Sequence, residues 1–365
     1  VRFTTSRALD SIERRLTTDP VLAAAVVDLA SVIRHTGLDD GRPANLLRLG
    51  MTVDALARHL SDDSVAVYPV ADRQLLSDLE LTSNEKMVIR RWADDGLAEA
   101  VPDPDPRALE IAELSGLPLV GRRDYGPYRR NFPDIVGTAR HLVPIPGVGG
   151  VVLNPGGPPA PRPQGTHPAL RRWWRCPDPD CPLFGSSASV VGAQPPPSLP
   201  QGRPVCPRHG HPLSDTGPSP QVIPVVVTVR GTGRHRFVVR EDRPAVVGRN
   251  PDEPGVSVGR LLDESSASVV SRNHLRMEVV GGALAVVDTS TNGTVVLSRT
   301  AAGSPPGRIR LTRGERRALG EWDTVELHSG VELADARHWR GSGGVDTSST
   351  LADAPTMAMR LPPRH

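Results

Sequence analysis

Residues 271–296 read SRNHLRMEVVGGALAVVDTSTNGTVV, and this stretch decides the fold of the C-terminal part of the chain. Its Val-rich runs are broken by Gly281-Gly282 and by Asn292-Gly293, dipeptides that favour tight turns between short strands. The same rhythm, a Val-rich run about every ten residues, begins at Val222 and predicts an antiparallel two-sheet sandwich over residues 222–340.

Outward from there the composition changes. Residues 1–152 are rich in Ala, Leu, Arg and Asp, with strand-like and helix-like apolar periods in alternation, the pattern of an α/β domain. Residues 153–172 include NPGGPPAPRPQGTHP, which is too poor in apolar residues to fold and too rich in Pro for a helix, so a linker is expected. Residues 173–216 hold all three cysteines around an insert, Gln194-Pro195-Pro196-Pro197. Residues 341–365 lack a periodic apolar face and are expected to be a disordered tail. Gly and Pro supply 35 and 38 of the 365 residues without a collagen period, which suits compact pieces on stiff connectors.

Basic and acidic residues number 43 and 41, so no overall field directs the chain to nucleic acid or an anionic membrane. Lys86 is the one lysine, an arginine bias that reflects a GC-rich genome and carries no functional weight. The longest apolar run, Val21 to Ile33, contains Asp28 and is shorter than the roughly 20 residues of a spanning helix. With no signal-peptide pattern, a cytoplasmic location and no membrane partner are expected.

Three segments of the β-rich region belong together: Val247-Gly248-Arg249, Ser271-Arg272-Asn273-His274 and Asp288-Thr289-Ser290-Thr291-Asn292-Gly293-Thr294. Each is ordinary turn chemistry by itself. In this order and spacing they resemble the signature of the forkhead-associated (FHA) domain, a β-sandwich whose loops bind phosphothreonine peptides. The resemblance implies that Arg249 supplies a guanidinium to the phosphate and Ser271 a hydroxyl donor. It further implies that Arg272 adds a second charge, Thr291 faces the phosphate or the threonine methyl, and Asn292 holds the peptide backbone. Gly248, His274 and Gly293 are expected to be architectural, with Gly293 at positive φ. The chemistry agrees independently: a phosphothreonine carries about −1.5 to −2 charges and needs Arg, hydroxyl and amide donors on rigid loops. Val269 favours an aliphatic residue three places after the phosphothreonine. The loop from Arg249 to Ser271 is long and carries Asp252, Glu253, Asp263 and Glu264, acids that either tune peptide approach or are simply solvated.

Cys176 and Cys181 flank Pro177-Asp178-Pro179-Asp180, and Cys206-Pro207-Arg208-His209 follows after 24 residues. Three thiols and an imidazole can close a tetrahedron around structural zinc, and His211 is the rival fourth ligand. The second cluster resembles the knuckle of a zinc ribbon, with His209 in the place of a cysteine; free thiols are the alternative.

The N-terminal region predicts a strand over Ala24 to Asp28, a helix near Asn45 to Leu60 and a strand over Ser64 to Val70. A helix over Asn84 to Asp95, a strand over Leu97 to Val101, a helix capped by Asp103 and a strand over Leu117 to Val120 complete a βαβα order. An amphipathic helix over Val21 to Arg34 fits as well. The order, with DPDPRALEIAELSGLPLV and YRRNFPDIVG, resembles a PIN-like (NYN-type) ribonuclease domain. That resemblance implies an acidic crevice for Mg²⁺ or Mn²⁺ with Asp28 and Asp105 as catalytic carboxylates, Asp103 nearby, and Asp124 as a shifted last member. Leu29, Gly121 and Arg123 depart from the pattern, and an Arg in the crevice competes with a cation, so a degenerate, non-catalytic domain is expected. Arg122, Arg123, Arg129, Arg130 and Arg140, interleaved with Tyr125, Tyr128 and Phe132, form either an RNA-contacting face or a solvated edge.

The reading that follows is an adaptor that binds a threonine-phosphorylated partner of a Ser/Thr kinase. The alternative is an RNA-acting nuclease controlled through its FHA domain. Tail threonines Thr347, Thr350 and Thr356 are candidate internal ligands.

Overall fold

The computed structural model describes residues 2–159, 166–185, 194–252, 255–300 and 304–339. The tail, with Thr347, Thr350 and Thr356, and Glu253 in the long loop lie outside the described residues.

The N-terminal part carries helices α1 (Arg2–Glu13), α2 (Leu29–Ile33), α3 (Leu47–Leu60), α4 (Ser83–Asp94) and α5 (Pro104–Ser115). They surround strands β1 (Ala25–Asp28), β2 (Val67–Asp72), β3 (Glu99–Val101), β4 (Leu119–Val120), β5 (His141–Gly147) and β6 (Gly150–Pro155). The sheet order is β3-β2-β1-β4-β5-β6, with β1 to β5 parallel and β6 antiparallel on the edge. β1 is buried along its whole length, as the centre of a parallel sheet covered on both faces requires. The strand reading of Ala24 to Asp28 therefore holds against the helical one, and the strand order reverses between β1 and β4. Crevices outside the carboxyl ends of strands form at such a reversal. One apolar cluster, with Leu29, Leu49, Leu56, Ile89 and Trp92, lies on one side of the sheet, and another, with Leu109, Ile111, Tyr125 and Val136, on the other.

Helix α4 starts in a capping box: Thr82 Oγ1 accepts from Glu85 N, and the Glu85 carboxylate accepts from Thr82 N. The same buried carboxylate takes both terminal nitrogens of Arg42, at 3.0 and 2.8 Å, and the backbone N–H of Leu46 at 2.9 Å. Burial raises the Glu85 pKa, but the bonds from Arg42, Thr82 and Leu46 outweigh that and hold it at about 2.

The expected linker begins later than its composition implies. Asn154 and Pro155 belong to β6 and pair with Val143 and Leu142. Pro155 is tolerated because β6 is an edge strand, and Pro144 and Pro146 of β5 lie beyond Leu142, where pairing with β4 ends.

The cysteine segment is built on a two-stranded ladder of β7 (Arg172–Arg175) and β8 (Ser214–Pro218). Trp174, Phe184 and the three cysteines form its small core. The insert at Gln194 to Pro197 packs on the N-terminal part. Arg107 of α5 is almost fully buried and donates to Pro196 O (2.5 Å), Pro197 O (3.3 Å) and Ser198 Oγ (3.1 Å). It pairs at the same time with Glu99 (2.8 Å) and Glu110 (2.7 Å).

The C-terminal part is a sandwich. Strands β9 (Val222–Val229), β10 (Thr232–Arg240), β11 (Ala245–Gly248), β12 (Gly255–Ser257), β13 (Leu275–Val280) and β14 (Ala283–Asp288) come first, with the short helix α6 (Glu264–Val269) before β13. Strands β15 (Thr294–Ser298), β16 (Gly307–Leu311), β17 (Arg316–Ala318), β18 (Thr324–His328) and β19 (Val331–Asp335) complete it. One sheet has the order β10-β9-β19-β18-β15-β16 and the other β12-β11-β13-β14-β17. Between them Val225, Val227, Val247, Leu275, Met277, Val286, Val296, Val325 and Leu333 are buried. Alternate residues of each strand point inward, which is why the Val-rich rhythm reads so clearly.

The sandwich is tied to the N-terminal part through Asp62. This buried carboxylate accepts from Arg236 Nε (2.7 Å) and Ser64 N (2.8 Å), while Gly233 bonds Ser61 O and Asp63 N across the junction. A Cβ at Gly233 would lie 2.5 Å from Asp62 Oδ1, so the junction closes only on glycine. No helix among the described residues is long and apolar enough to cross a membrane.

Candidate functional site

Three loops meet at one end of the sandwich. β11 ends at Gly248, whose missing Cβ lets the chain pass the carbonyl of Arg272; a Cβ there would sit 1.9 Å from that oxygen. Arg249 follows, its N–H bonded to Ser271 O at 2.9 Å. Its guanidinium is exposed and has no side-chain partner among the described residues. Ser271 Oγ accepts from Thr291 N at 3.0 Å and lies 3.0 Å from Thr291 Oγ1, so the two hydroxyls form a pair on the rim beside Arg249.

Behind them His274 is fully buried. Its Nδ1 accepts from Ser271 N (3.2 Å) and its own N–H bonds Val247 O (2.9 Å), which anchors the serine loop to β11. Burial pushes its pKa down, as suits a neutral hydrogen-bonded anchor. In the third loop Asp288 Oδ1 accepts from Ser290 N and Thr294 Oγ1, and Ser290 Oγ accepts from Gly293 N, so the turn is held from inside. Gly293 has φ +86°, the left-handed region in which glycine alone is unstrained. Asn292 Nδ2 is already committed to Val269 O at 2.9 Å. Arg272 ion-pairs with Asp252 at 3.3 Å.

The structure thus brings Arg249, Ser271 and Thr291 together on scaffolding from Gly248, His274 and Gly293. One residue escaped the sequence reading, Arg310, whose Nη2 bonds Asn292 O at 2.5 Å; Asp252, expected as one of the acids of the long loop, pairs with Arg272. Nothing local marks Arg310; its role follows from the β15–β16 pairing, which sets Thr294 opposite Leu311.

The metal-ligating residues also converge. One ligand atom from each of Cys176, Cys181, Cys206 and His209 lies within 4.8 Å of the others, the one such cluster of three or more among the described residues. His209 Nδ1 is 3.6 Å from Cys176 Sγ and 3.8 Å from Cys206 Sγ, and Cys181 Sγ is 3.7 Å from Cys206 Sγ. His211 stands beside the His209 ring, centroids 5.9 Å apart, and outside the cluster. The wide first pair works because Asp178 accepts from Asp180 N and Cys181 N, a turn that folds Cys181 back. Asp178 also approaches His209 Nε2 at 3.6 Å, the carboxylate partner that orients a metal-binding imidazole. Burial pushes the Cys206 thiol up to about 11, so a cation is what would allow the thiolates to share this space. These four residues can hold a metal ion. With four protein ligands the ion would be structural, leaving no open position for water.

The acidic crevice of the N-terminal part is differently occupied. Asp28 is fully buried at the end of β1, where its Oδ1 caps α2 through Ser31 N (3.0 Å) and its Oδ2 accepts from Tyr125 OH (2.8 Å). Burial raises its pKa. Arg123 binds both oxygens of Asp105 at 2.7 and 2.8 Å and places Nε 3.6 Å from Asp28. A guanidinium therefore stands between the two carboxylates that the nuclease resemblance assigns to Mg²⁺ or Mn²⁺, and the residues do not fit a divalent ion. Asp124 is exposed and accepts from Gly126 N, and the side chain of Asp103 makes no cap bond to α5. Gly121 is required here, since a Cβ would meet Tyr125 OH at 2.4 Å.

The Arg-rich stretch, expected as either an RNA-contacting face or a solvated edge, has its aromatic rings turned inward. Tyr125 is buried against Asp28, Tyr128 and Phe132 pack on the second apolar cluster, and Arg140 donates to Ala112 O and Leu117 O. Arg122, Arg129 and Arg130 remain exposed.

No protein-family model and no curated protein matches the chain. Among solved structures it is similar to the MEK1 FHA domain, at 24% identity and TM-score 0.24 over 30% of this chain and 85% of that one. It is similar to the FHA domain of human APLF in complex with an XRCC1 bisphospho peptide, at 21% and 0.22 over 30% and 96%. A third is the FHA domain of the CT664 protein from Chlamydia trachomatis, at 18% and 0.23 over 32% and 98%.

Proposed function

We propose that this chain is an adaptor in Ser/Thr-kinase signalling that binds threonine-phosphorylated peptides through its C-terminal sandwich. The observation that carries the reading is the exposed Arg249 guanidinium beside the Ser271–Thr291 hydroxyl pair, on loops locked by His274 and Gly293. A phosphate dianion would take charge-assisted bonds from Arg249 and a hydroxyl proton from Ser271. Asn292 gives one amide hydrogen to Val269 O, which leaves its second N–H and its Oδ1 for the peptide backbone. The partner is a phosphorylated protein or, in a self-regulated form, the chain's own Thr347, Thr350 or Thr356. The Cys3His cluster would hold zinc as a structural ion in a zinc-ribbon-like module.

A second reading, a PIN-like ribonuclease controlled by the sandwich, has Asp28 at the strand-order reversal in its favour. Arg123 opposes it, because the cation of the crevice is supplied by the chain itself. The N-terminal part is accordingly read as a non-catalytic domain that the adaptor presents.

The test is calorimetry or fluorescence anisotropy with a phosphothreonine peptide library, unphosphorylated and phosphoserine controls, and Arg249→Ala. Phosphothreonine-selective binding that the variant abolishes supports the adaptor; no binding by the wild type refutes it.

A further inference from the structure

We infer that Asp252 is a resident competitor for the phosphate, an acid that holds Arg272 in the unbound protein and must release it when phosphopeptide arrives. The inference rests on the phosphothreonine reading above and adds a specificity residue that the sequence resemblance does not supply.

Asp252 follows Arg249 by three residues on the same loop, and it is fastened to the serine loop by three contacts. Its Oδ2 accepts from Asn273 Nδ2 at 2.8 Å, its N–H donates to Asn273 Oδ1 at 3.1 Å, and its Oδ1 faces Arg272 Nη2 at 3.3 Å. Gly255 passes close by: a Cβ there would lie 2.9 Å from Asp252 O and 2.6 Å from Pro251. The carboxylate is thus positioned by backbone and amide together, whether or not Arg272 is present.

The two guanidiniums of the rim are consequently unequal. Arg249 has no side-chain partner among the described residues, whereas the ion pair of Arg272 among them is with Asp252. Both members of that pair are about two-thirds exposed or more, at 66% and 72%. An exposed pair of this kind is weak and exchangeable, which is what a displaceable competitor requires. A dianionic phosphate near Arg249 and Ser271 is repelled by Asp252 and attracts Arg272, so the guanidinium changes partner as the ligand binds. The same fixed charge disfavours acidic residues flanking the phosphothreonine on this side.

Anisotropy with one phosphothreonine peptide and five proteins tests the exchange: wild type, Asp252→Asn, Arg272→Gln, the double variant and Arg249→Ala. Asp252→Asn keeps an oxygen for Asn273 and is expected to tighten binding about three- to tenfold. Arg272→Gln is expected to weaken the wild type less than about threefold but the Asp252→Asn protein about tenfold, because only in the latter does Arg272 reach the phosphate without giving up its pair with Asp252. Unchanged or weaker binding by Asp252→Asn, with Arg249→Ala still abolishing binding, overturns the competitor alone. Absence of binding in every protein overturns the phosphothreonine reading with it.

Discussion

Replacing Arg107 by Met should destabilise the chain and, at the same time, loosen a metal ion bound by the Cys3His cluster. The side chain is 5% exposed and is shared by Glu99 and Glu110, themselves 9% and 18% exposed. Met roughly preserves the volume but leaves two nearly buried carboxylates without a cation and the carbonyls of Pro196 and Pro197 without their donor. Breaking a buried pair in this way costs about 3–5 kcal/mol, a large part of the roughly 5–15 kcal/mol that holds a domain. The insert at Pro196 to Leu199 lies between Cys181 and Cys206 in the chain, and Leu199 N is bonded to Glu110. Freeing it removes a restraint on both thiol arms. Urea unfolding followed by tryptophan fluorescence should show the loss, and a chelator challenge should remove metal faster from Arg107→Met than from wild type. Combining Arg107→Met with Glu99→Gln and Glu110→Gln should recover much of the stability, since no charge is then stranded. A loss below about 1 kcal/mol with unchanged metal release would refute the coupling of insert, α5 and cysteine cluster.

Further outcomes follow from other parts of the molecule. The purified full-length chain is expected to carry one zinc ion that Cys206→Ser removes and His211→Ala retains; elemental analysis decides, and zinc lost in His211→Ala would displace His209 from the ligand set. Arg123→Ala should gain a Mn²⁺-dependent rise in melting temperature that the wild type lacks, and an equal response in both would contradict the neutralised crevice. Gly248→Ala should abolish phosphopeptide binding, because its Cβ falls on the Arg272 carbonyl and drives the Arg249 and Ser271 loops apart; retained affinity would sink that geometry. Glu85 titrates at about 2 in the folded protein against 4.5 for a free carboxyl. Its contribution, about 3 kcal/mol from that shift, is fully present above about pH 5 and is lost as pH falls toward 2. Glu85→Gln should flatten this acid limb of the stability profile, and an unchanged limb would assign it to other groups.

The sandwich was the most legible part of the sequence because its strands are half-buried and its turns demand particular residues. Gly248, Gly293 and His274 announce backbone requirements that few other residues meet, so a local motif carries the site. The central strand of the N-terminal sheet was legible as far as Asp28, since a run buried on both faces is apolar throughout. What that carboxylate does was not legible in the same way. Its partners Tyr125 and Arg123 arrive from a loop nearly a hundred residues away, and only the parallel β1–β4 pairing sets them there. β6 was hidden for another reason: Asn154 and Pro155 have a linker's composition, and an edge strand accepts them. The cysteine spacing pointed to the Cys3His cluster, while setting His209 in it and His211 outside needed three dimensions.

The glycine junction at Asp62 and Gly233 has a consequence for self-association. β10 is the outermost strand of its sheet, and an uncovered strand edge invites pairing with a second chain. The N-terminal part engages that edge where Gly233 pairs with Asp62 and Arg236 is held by the same carboxylate. A fragment starting at Val222 would lose this guard and expose a ribbon ready to zip onto its own kind. The N-terminal part thereby shields one end of this edge, and the fragment without it is expected to self-associate more than the full chain.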